Sequence, residues 1–416
     1  FKRATDVATA IPVSTSRPDV FFVGMRKIEQ NAIVDTRTAD ALRYIAHKYT
    51  SIILLASPGT REFRRFIMGL CRRSAILVRH DFPDHLKFLK GTRDRIYQLA
   101  TGNAERDMAN RTLLAKECSQ SLVPHLILPA NEKTTAGRIA RWFAGKSVGI
   151  AFGGGGARAL SHLGVLEVLE KVGLHIDMIS GASAGAHVGG MLACGYSRGQ
   201  MLEYFRREAI EKRGHPFNDF ALPVRGLIRG KKYHHLLRQA FGDRDMATVG
   251  MPFFPLATNL QNGKPVIIQS GKIADAVLAS GSVPGVFPPV MTAQGVLADG
   301  GMVNNIPAYI LKEWDTSYVI SINTSIDPAR SLFEPRSIGR IMLQALDIFM
   351  EQTIKDHIDH TDFEIKPDVD TFSVTDHRRG KEIIEAGRLS ARRILPQLLR
   401  SLKKNGIIES GSVLGL

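Results

Sequence analysis

The sequence is poor in cysteine and has no long apolar run. Its three cysteines, Cys71, Cys118 and Cys194, lie far apart and none has a paired Cys-x-x-Cys or Cys/His spacing, which argues against a disulfide framework and a structural zinc site. This usage predicts a reducing, intracellular and cytoplasmic setting. No uncharged stretch approaches the roughly 20 apolar residues of a membrane-spanning helix, and no apolar signal segment stands at the start. Any membrane contact is therefore predicted to be peripheral.

Acidic residues are scarce relative to basic ones, and the imbalance is uneven along the chain. Fifty-five Lys and Arg against 40 Asp and Glu give a formal net charge of +15. Residues 1–146 carry 25 basic and 13 acidic side chains, whereas residues 147–416 carry 30 and 27. A basic surface suits anionic partners, namely phospholipid headgroups, nucleic acid or an acidic protein. Composition alone does not choose among them.

Short apolar runs alternate with amphipathic stretches, which is typical of α/β proteins built on a mainly parallel sheet. A basic helix ends on Gly145 and a strand follows at once, so we predict an α/β domain over residues 1–146 and a second one, with a C-terminal helical segment, over residues 147–416. The first domain is predicted to have strands at 20–24, 51–56, 75–80 and 122–128, and helices at 36–49, 61–73, 84–100, 105–118 and 133–143. For the second, we predict strands at 147–152, 176–180, 253–259, 265–269, 296–298 and 319–323, and helices at 157–172 and 184–194.

Residues 206–238 differ in character from their surroundings. Basic pairs interleave there with apolar residues such as Phe217, Leu222 and Leu227 on a chain broken by Pro and Gly. The pattern fits a lid or lipid-facing flap. It fits equally an insertion that packs on the sheet edge and keeps a solvated basic face.

The segment Gly181-Ala182-Ser183-Ala184-Gly185 stands between a predicted strand and a predicted helix. A nucleophile elbow needs this context, because so sharp a turn leaves no room for flanking side chains and holds the serine hydroxyl out above the sheet. The helix N-terminus then offers positive potential to a developing oxyanion. The segment predicts a nucleophile at Ser183.

Four successive glycines, 153–156, also stand between a strand and a helix. Their backbone N–H groups are open to an anion, which suits an oxyanion hole or a phosphate cradle. Gly154, Gly156 and Ala159 satisfy a relaxed dinucleotide pattern, with Asp177 near the expected distance downstream. The ribose-binding acid, however, belongs at the carboxyl end of its strand, and Asp177 stands at the beginning. No Gly-Lys-Ser/Thr follows the four glycines, so the pattern of a phosphate-binding Walker loop is not met.

Asp299, Gly300 and Gly301 follow an apolar strand. Such a segment is often only a turn, but a serine nucleophile needs a base, and a carboxylate between glycines can approach a hydroxyl closely. Aspartate, with an ordinary pKa near 3.9, is a weak base, and a histidine usually stands between acid and serine. Spacing selects none of the candidate histidines, which are His162, His187, His357, His360 and His377.

Together and in this order, the three segments resemble the patatin-like phospholipases. Their pattern is a glycine-rich loop with Arg or Lys, a G-x-S-x-G elbow and a late D-G-G or D-G-A. The likeness extends to residues 161–166, 280–289 and 299–307 and covers roughly residues 147–325. Residues 51–55 and 71–78 are similar to the stretch that precedes the catalytic domain in the neuropathy target esterase branch. The resemblance implies a three-layer α/β/α catalytic domain.

The resemblance also implies a Ser/Asp dyad without histidine, with Ser183 as nucleophile and Asp299 as base. Arg158 matches the family's basic position, where it would order the loop or meet a lipid phosphate. Ala159 departs from the pattern, since a further glycine is usual there. The implied oxyanion donors are the N–H groups around Gly154, Gly155, Gly156 and Ala184.

The implied activity is hydrolysis of phospholipid or lysophospholipid esters, with no metal and no cofactor. The basic first domain and residues 206–238 would then hold the enzyme against anionic membrane, and nucleic acid becomes the weaker partner. The chain opens with Phe1, so an upstream portion is expected, and this branch often carries cyclic nucleotide-binding domains there. The competing class is a nucleotide- or lipid-binding regulatory module without turnover.

Overall fold

The computed structural model describes six short strands before residue 129 and most of the chain from residue 133 onward. The described residues are 8–10, 20–25, 51–56, 75–78, 95–99, 125–128, 133–211, 219, 226–246, 249–327, 330, 334–335, 338–355 and 358–408. The chain forms two compact units. The first comprises Phe1–Leu77, Asp81–Ile96 and Lys116–Val123, and the second Val78–His80, Tyr97–Ala115 and Pro124–Leu416. The domain division at residue 146 stays a prediction.

The six early strands form two three-stranded sheets. The first has the order β1 (Ala8–Ala10), β2 (Val20–Met25), β3 (Ser51–Ala56), and the second β4 (Ala75–Val78), β5 (Arg95–Leu99), β6 (His125–Leu128). β2 and β3 pair in parallel, and β1 pairs antiparallel with β2. Strands β2, β3, β4 and β6 confirm predicted strands. The helix predicted at 84–100 is wrong at its end, where Ile96 and Tyr97 favour the extended chain of β5.

The remaining predicted elements of the first domain divide into two groups. The helices predicted at 36–49, 61–73 and 105–118 lie outside the described residues, as does the first part of the one at 84–100. The helix predicted at 133–143 is confirmed as α1 (Lys133–Phe143).

An eight-stranded mixed sheet forms the centre of the second unit. Its strands are β7 (Val148–Phe152), β8 (Met178–Ala182), β9 (Phe253–Asn259), β10 (Pro265–Ile267), β11 (Val290–Thr292), β12 (Gly295–Asp299), β13 (Tyr318–Ile322) and β14 (Phe363–Ile365). The path runs β11-β12-β9-β8-β7-β13-β14, and β10 pairs with β9 off this path. The five strands from β9 to β14 on this path are parallel, whereas β10 and β12 pair antiparallel with β9, and β11 pairs antiparallel with β12.

Helices cover both faces of this sheet. Because side chains alternate along a strand, Ile150 and Phe152 join the larger core on one face and Ala151 the smaller core on the other. The helices are α2 (Ser161–Lys171), α3 (Ala184–Ala193), α4 (Arg198–Phe205), α5 (Lys231–Phe241), α6 (Ile273–Ser280), α7 (Ala308–Glu313), α8 (Ile338–Lys355) and α9 (Gly380–Lys404). The larger core includes residues of α2, α3, α5, α6 and α9, and the smaller one residues of α7 and Ile354 of α8. The predicted three-layer α/β/α class is confirmed.

Two predicted element boundaries differ from the structure, one after the glycine run 153–156 and one in the strand before Ser183. The helix predicted at 157–172 divides into a 3₁₀ turn, Gly156–Leu160, and α2. The strand predicted at 176–180 is β8, two residues later, because the Asp177 carboxylate holds the Val148 amide at 2.9 Å and the ladder begins after it. β8 therefore runs directly into the turn at Ser183.

Part of the basic segment 206–238 packs into the core. Helix α5 buries Tyr233, Leu236 and Leu237, and residues 227–228 hydrogen-bond to Gly285 and Val286. This half follows the packed alternative and not the lid. Residues 212–218 and 220–225 lie outside the described part of the chain. Among the described helices, none has the length and hydropathy needed to cross a bilayer.

Candidate active site

Ser183 lies at the turn between β8 and α3, where the chain reverses abruptly. Its backbone has φ 54° and ψ −129°, a conformation that costs an L residue about 1–3 kcal/mol. Glycines on both sides permit it. A Cβ on Gly185 would lie 2.4 Å from the Phe152 carbonyl oxygen, and one on Gly181 would lie 2.9 Å from the Ala186 nitrogen. The turn has the geometry of the predicted nucleophile elbow.

Asp299 ends β12 and is fully buried. Its Oδ1 accepts a hydrogen bond from the Gly301 amide at 2.8 Å, whereas Oδ2 has no hydrogen-bond partner among the described residues. Burial raises the pKa of this carboxyl from 3.8 to about 6, although the Ser183 hydroxyl and the Gly301 amide lower it. The raised pKa makes Asp299 a better proton acceptor than an ordinary aspartate, and it remains mostly ionised at pH 7.

The strand register brings the serine and the aspartate to one edge of the sheet. Asp299 pairs with Ala257 of β9, and Ala182 pairs with Leu256 of the same strand. Ser183 and Asp299 therefore leave the sheet at the same height, on either side of β9. Their side chains interact, since the serine hydroxyl affects the pKa of the carboxyl.

The glycine loop follows β7 at the same edge. The Gly154 amide donates to Asn305 Oδ1 at 3.1 Å and is thereby occupied. Among the described residues, no acceptor takes the N–H groups of Gly155 or Gly156, and Ala184, as the first residue of α3, has no acceptor within its helix. Gly156 has φ 56°, a left-handed conformation that favours glycine. Three of the four predicted oxyanion donors are open, and the fourth holds the loop in place.

Three polar side chains that spacing arguments missed hold the loop and the elbow. Asn305 Nδ2 also donates to the Gly154 carbonyl, at 3.4 Å, and the Thr324 hydroxyl donates to the same oxygen. The Ser183 amide donates to the carbonyl oxygen and to the Oγ of Ser280, at 3.1 and 3.0 Å. Ser280 and Asn305 lie in segments 280–289 and 299–307, to which the resemblance extends, whereas the signal for Thr324 was its position just after the end of a strand.

Arg158 is buried, with 1% of its surface exposed. Its Nη2 donates to Asp347 Oδ1 at 2.6 Å, and its Nε donates to the Gly155 carbonyl at 3.4 Å. A lipid phosphate would have to enter this enclosed space and compete with Asp347. The geometry therefore favours the first of the two predicted roles, ordering of the loop.

Two of the candidate histidines are buried in a neutral state. Burial lowers the pKa of His162 to about 4 and that of His187 to about 3. The His162 ring lies beneath the glycine loop, with Nε2 2.8 Å from the Gly153 carbonyl oxygen. His187 stands among the aromatic rings of Tyr204, Phe205, Tyr233 and Phe241.

Of the other candidate histidines, the two that the structure describes, His360 and His377, are not joined to the serine or the aspartate. Among the described residues, no histidine hydrogen-bonds to Ser183 or Asp299. His360 is exposed, His377 approaches the carbonyl of a neighbouring residue, and His357 lies outside the described residues.

Asp177 does not complete a nucleotide site with the glycine loop. It lies just before β8, at the opposite end of that strand from Ser183, and accepts hydrogen bonds from Arg141 at 2.6 and 2.9 Å. The dinucleotide pattern requires the acid at the carboxyl end of its strand. The described residues also contain no group of three His, Cys, Asp or Glu able to hold a metal ion.

An apolar pocket opens between the glycine loop and the elbow. Gly156 and Ala184, which carry two of the open N–H groups, form part of its wall. Aromatic and aliphatic side chains form most of the rest, with Glu208 and His377 as polar members. The complete lining is Gly156, Ala159, Leu160, Ala184, His187, Val188, Tyr204, Phe205, Glu208, Tyr233, Leu236 and His377.

A serine on a strained strand-to-helix turn, a buried carboxylate and open backbone amides together form the kind of site that serine hydrolases use. Residues 150–312 match the family model described as patatin-like phospholipase. This part of the chain is thus a patatin-like phospholipase domain, which confirms the resemblance drawn from the three glycine segments.

Curated relatives confirm the branch. An uncharacterized NTE family protein of Mycobacterium tuberculosis (strain CDC 1551 / Oshkosh) is 28% identical over 379 residues, which cover 84% of this chain and 62% of that protein. The neuropathy target esterase sws of Drosophila melanogaster is 30% identical over 48% of this chain and 14% of its own length. Lysophospholipase NTE1 of Candida glabrata is 33% identical over 46% of this chain and 11% of its own length. The chain spans less than two thirds of each.

Proposed function

We propose that the chain hydrolyses carboxylic ester bonds of phospholipids or lysophospholipids through a Ser183/Asp299 dyad and an acyl-enzyme intermediate. The patatin-like phospholipase domain and the lysophospholipase relative support the substrate class. The observation that carries the mechanism is the buried carboxyl of Asp299, with a pKa near 6, facing a serine on a strained turn.

In the proposed reaction, Asp299 accepts and releases a proton twice, once as the acyl-enzyme forms and once as it is hydrolysed. Asp299 takes the Ser183 proton as Oγ bonds to the ester carbonyl carbon, and the carbonyl oxygen becomes the oxyanion. When this intermediate collapses, the C–O bond to the leaving alcohol breaks and the alcohol takes the proton from Asp299. Water then attacks the acyl-enzyme, gives a proton to Asp299, and Ser183 recovers it as the fatty acid leaves.

The oxyanion is stabilised by the open backbone amides. Gly155, Gly156 and Ala184 are the donors whose N–H groups have no acceptor in the described part of the chain, and a single oxyanion donor is worth about 3 kcal/mol in other serine hydrolases. Participation of Gly154 would require its amide to leave Asn305. The adjacent apolar pocket has the chemistry to hold a fatty acyl chain beside the reacting carbonyl.

The setting proposed for this activity is an intracellular, peripheral one at an anionic membrane surface. The support is the basic excess of residues 1–146 and the hydrophobic substrate class. A regulatory domain upstream of Phe1 belongs to the same proposal, as does the absence of a nucleic-acid partner.

Labelling with a fluorophosphonate probe tests the nucleophile directly. We expect covalent modification of the wild-type chain, none of Ser183→Ala, and strongly slowed modification of Asp299→Asn. Ester hydrolysis should be lost in both variants and largely retained in His360→Ala, which serves as the control because His360 is exposed and does not line the apolar pocket. An unreactive wild-type chain would favour a lipid-binding module without turnover, and loss of activity in a histidine variant would favour a triad.

A further inference from the structure

Helix α8 (Ile338–Lys355) is apolar on two opposite faces. Residues 343, 346, 347, 350 and 354 lie on its inner face, and residues 338, 341, 342, 345, 348, 349 and 352 follow one another along its outer face. Six of the seven outer positions are apolar. A helix at the surface of a soluble domain normally presents polar residues there.

The inner face of α8 contacts the candidate active site. Asp347 binds the buried Arg158 guanidinium, which reaches the Gly155 carbonyl in the glycine loop. One turn further on, Met350 Sδ lies 3.0 Å from the point that a Cβ on Gly301 would occupy. The helix therefore connects to both the oxyanion loop and the turn that carries the aspartate.

The outer face is open to solvent. Ile338 is 78% exposed, Met342 and Phe349 are each 51% exposed, and Ile341 and Ile348 are exposed as well. These five residues, with Ala345, are termed the α8 stripe. A continuous exposed apolar stripe of this length marks a binding surface more often than scattered apolar residues do.

Apolar and basic residues extend the stripe at one edge. The Leu227 amide donates to the Gly285 carbonyl, and a Cβ on Gly285 would lie 3.4 Å from Met342 Cε. Leu227 is 45% exposed, so the apolar surface continues from α8 onto this segment. Arg229 and Lys231, which follow within four residues along the chain, are exposed, and the acidic residue described beside them, Asp219, accepts a hydrogen bond from the Lys232 amide at 3.1 Å. A basic edge beside an apolar stripe complements phosphate headgroups above acyl chains.

We propose that the α8 stripe docks on the surface of a phospholipid bilayer, with its apolar side chains inserted below the headgroups and Arg229 and Lys231 beside the phosphates. Docking brings the bilayer to within one helix diameter, roughly 10 Å, of the glycine loop and the Asp299 turn, which contact the other face of α8. The consequence for catalysis rests on the proposed lipid hydrolysis, whereas docking itself does not.

A bilayer suits this surface better than a second protein. The stripe belongs to a helix whose other face holds the loop and the aspartate turn of a domain proposed to act on lipids. Its basic edge matches lipid phosphates, and it would oppose an identical basic edge if two copies met. Self-association is nevertheless measured as a competing outcome.

A paired substitution in the stripe tests the docking. The full chain carrying Ile341→Ser and Phe349→Ser is compared with Leu389→Ser, which removes an equally exposed leucine from α9. In co-sedimentation with phosphatidylcholine vesicles containing one quarter phosphatidylserine, we expect the stripe variant to partition at least about tenfold less. Leu389→Ser should match the wild type. Equal partitioning of all three, or a wild type that does not bind, overturns the proposal.

Soluble-substrate and labelling assays separate docking from chemistry. The stripe variant should keep fluorophosphonate labelling and hydrolysis of a short water-soluble ester while it loses hydrolysis in vesicles. If the wild type binds vesicles through the stripe but shows no labelling, the proposed reaction fails and the docking stands. If light scattering shows that the stripe variant changes a dimer into a monomer with unchanged vesicle binding, self-association replaces the proposal.

A conservative variant gives a second readout that does not depend on loss of function. Phe349→Trp keeps the position apolar, and the two native tryptophans, Trp142 and Trp314, are buried at 4% and 5% exposure. We expect the emission of this variant to shift to the blue on vesicle addition and to be quenched by lipids brominated near the headgroup. Emission unchanged by vesicles that bind the protein contradicts insertion of the stripe.

Discussion

Asp299 can act as a base only when its carboxyl is ionised, and its burial disfavours the ionised form. Burial raises its pKa from 3.8 to about 6, and the base is active only when deprotonated. The kcat/KM for a soluble ester should therefore fall as pH decreases through about 6, tenfold for each pH unit below it. A profile from pH 4.5 to 8 measures this limb. A limb near pH 7 that disappears when a histidine is replaced would contradict the dyad.

The same raised pKa predicts that Asp299 destabilises the folded chain. The folded state holds the proton more tightly than the unfolded state, so the cost is absent below about pH 4 and complete above about pH 6. Asn removes the charge and keeps an oxygen for the Gly301 amide. Asp299→Asn should raise the free energy of unfolding at pH 7.5 by up to about 3 kcal/mol. Denaturant titrations at pH 4 and 7.5 check that the gain appears only at the higher pH.

Residues whose role follows from local backbone geometry were predictable, and those whose role depends on distant partners were not. Gly181 and Gly185 could be assigned because any strand-to-helix turn around a serine excludes a Cβ there. The occupation of the Gly154 amide by Asn305 could not, since these residues lie 151 positions apart. The loop-ordering contact of Arg158 likewise depends on Asp347 in a helix that sequence reasoning did not predict.

At the scale of elements, helix α5 forms one wall of the apolar pocket and offers a matched pair of leucines. Leu236 lines the pocket, whereas the adjacent Leu237 is fully buried in the core and does not. Leu→Ala at either position should cost about 2–5 kcal/mol of stability. Only Leu236→Ala widens the pocket, so only this variant should shift the ratio of kcat/KM values toward longer or bulkier acyl chains. A homologous series of p-nitrophenyl esters measures the ratio, and equal shifts in both variants would exclude the pocket as the acyl site.

The order and type of the elements around the site followed from the sequence better than their ends did. Strands β7, β9 and β13 and helix α3 agree with the predictions to within one residue. The start of β8 depends on the contact of Asp177 with Val148 and Arg141, and periodicity carries no trace of such a contact. The strand order also could not be predicted, because a pattern of apolar runs does not say which strands pair. It is the antiparallel pairing of β12 with β9 that brings Asp299 to the edge of the sheet where Ser183 lies.

At the scale of the whole molecule, two kinds of attraction to a membrane are separable by salt. Residues 1–146 carry 12 more basic than acidic side chains, and attraction between exposed charges and anionic lipid is screened beyond about 10 Å at 0.1 M salt. The α8 stripe acts through burial of apolar surface, which salt does not weaken.

The wild-type chain should therefore bind anionic vesicles several-fold more weakly at 0.5 M than at 0.05 M NaCl and keep a salt-resistant remainder. In Ile341→Ser with Phe349→Ser the remainder should vanish, because only the charged contribution is left. On vesicles of phosphatidylcholine alone, binding of the wild-type chain should be insensitive to salt and should depend on the α8 stripe. Wild-type binding indifferent to both salt and anionic lipid would leave the basic excess of residues 1–146 without a role at the membrane. An acidic protein would then become the partner to seek for these residues.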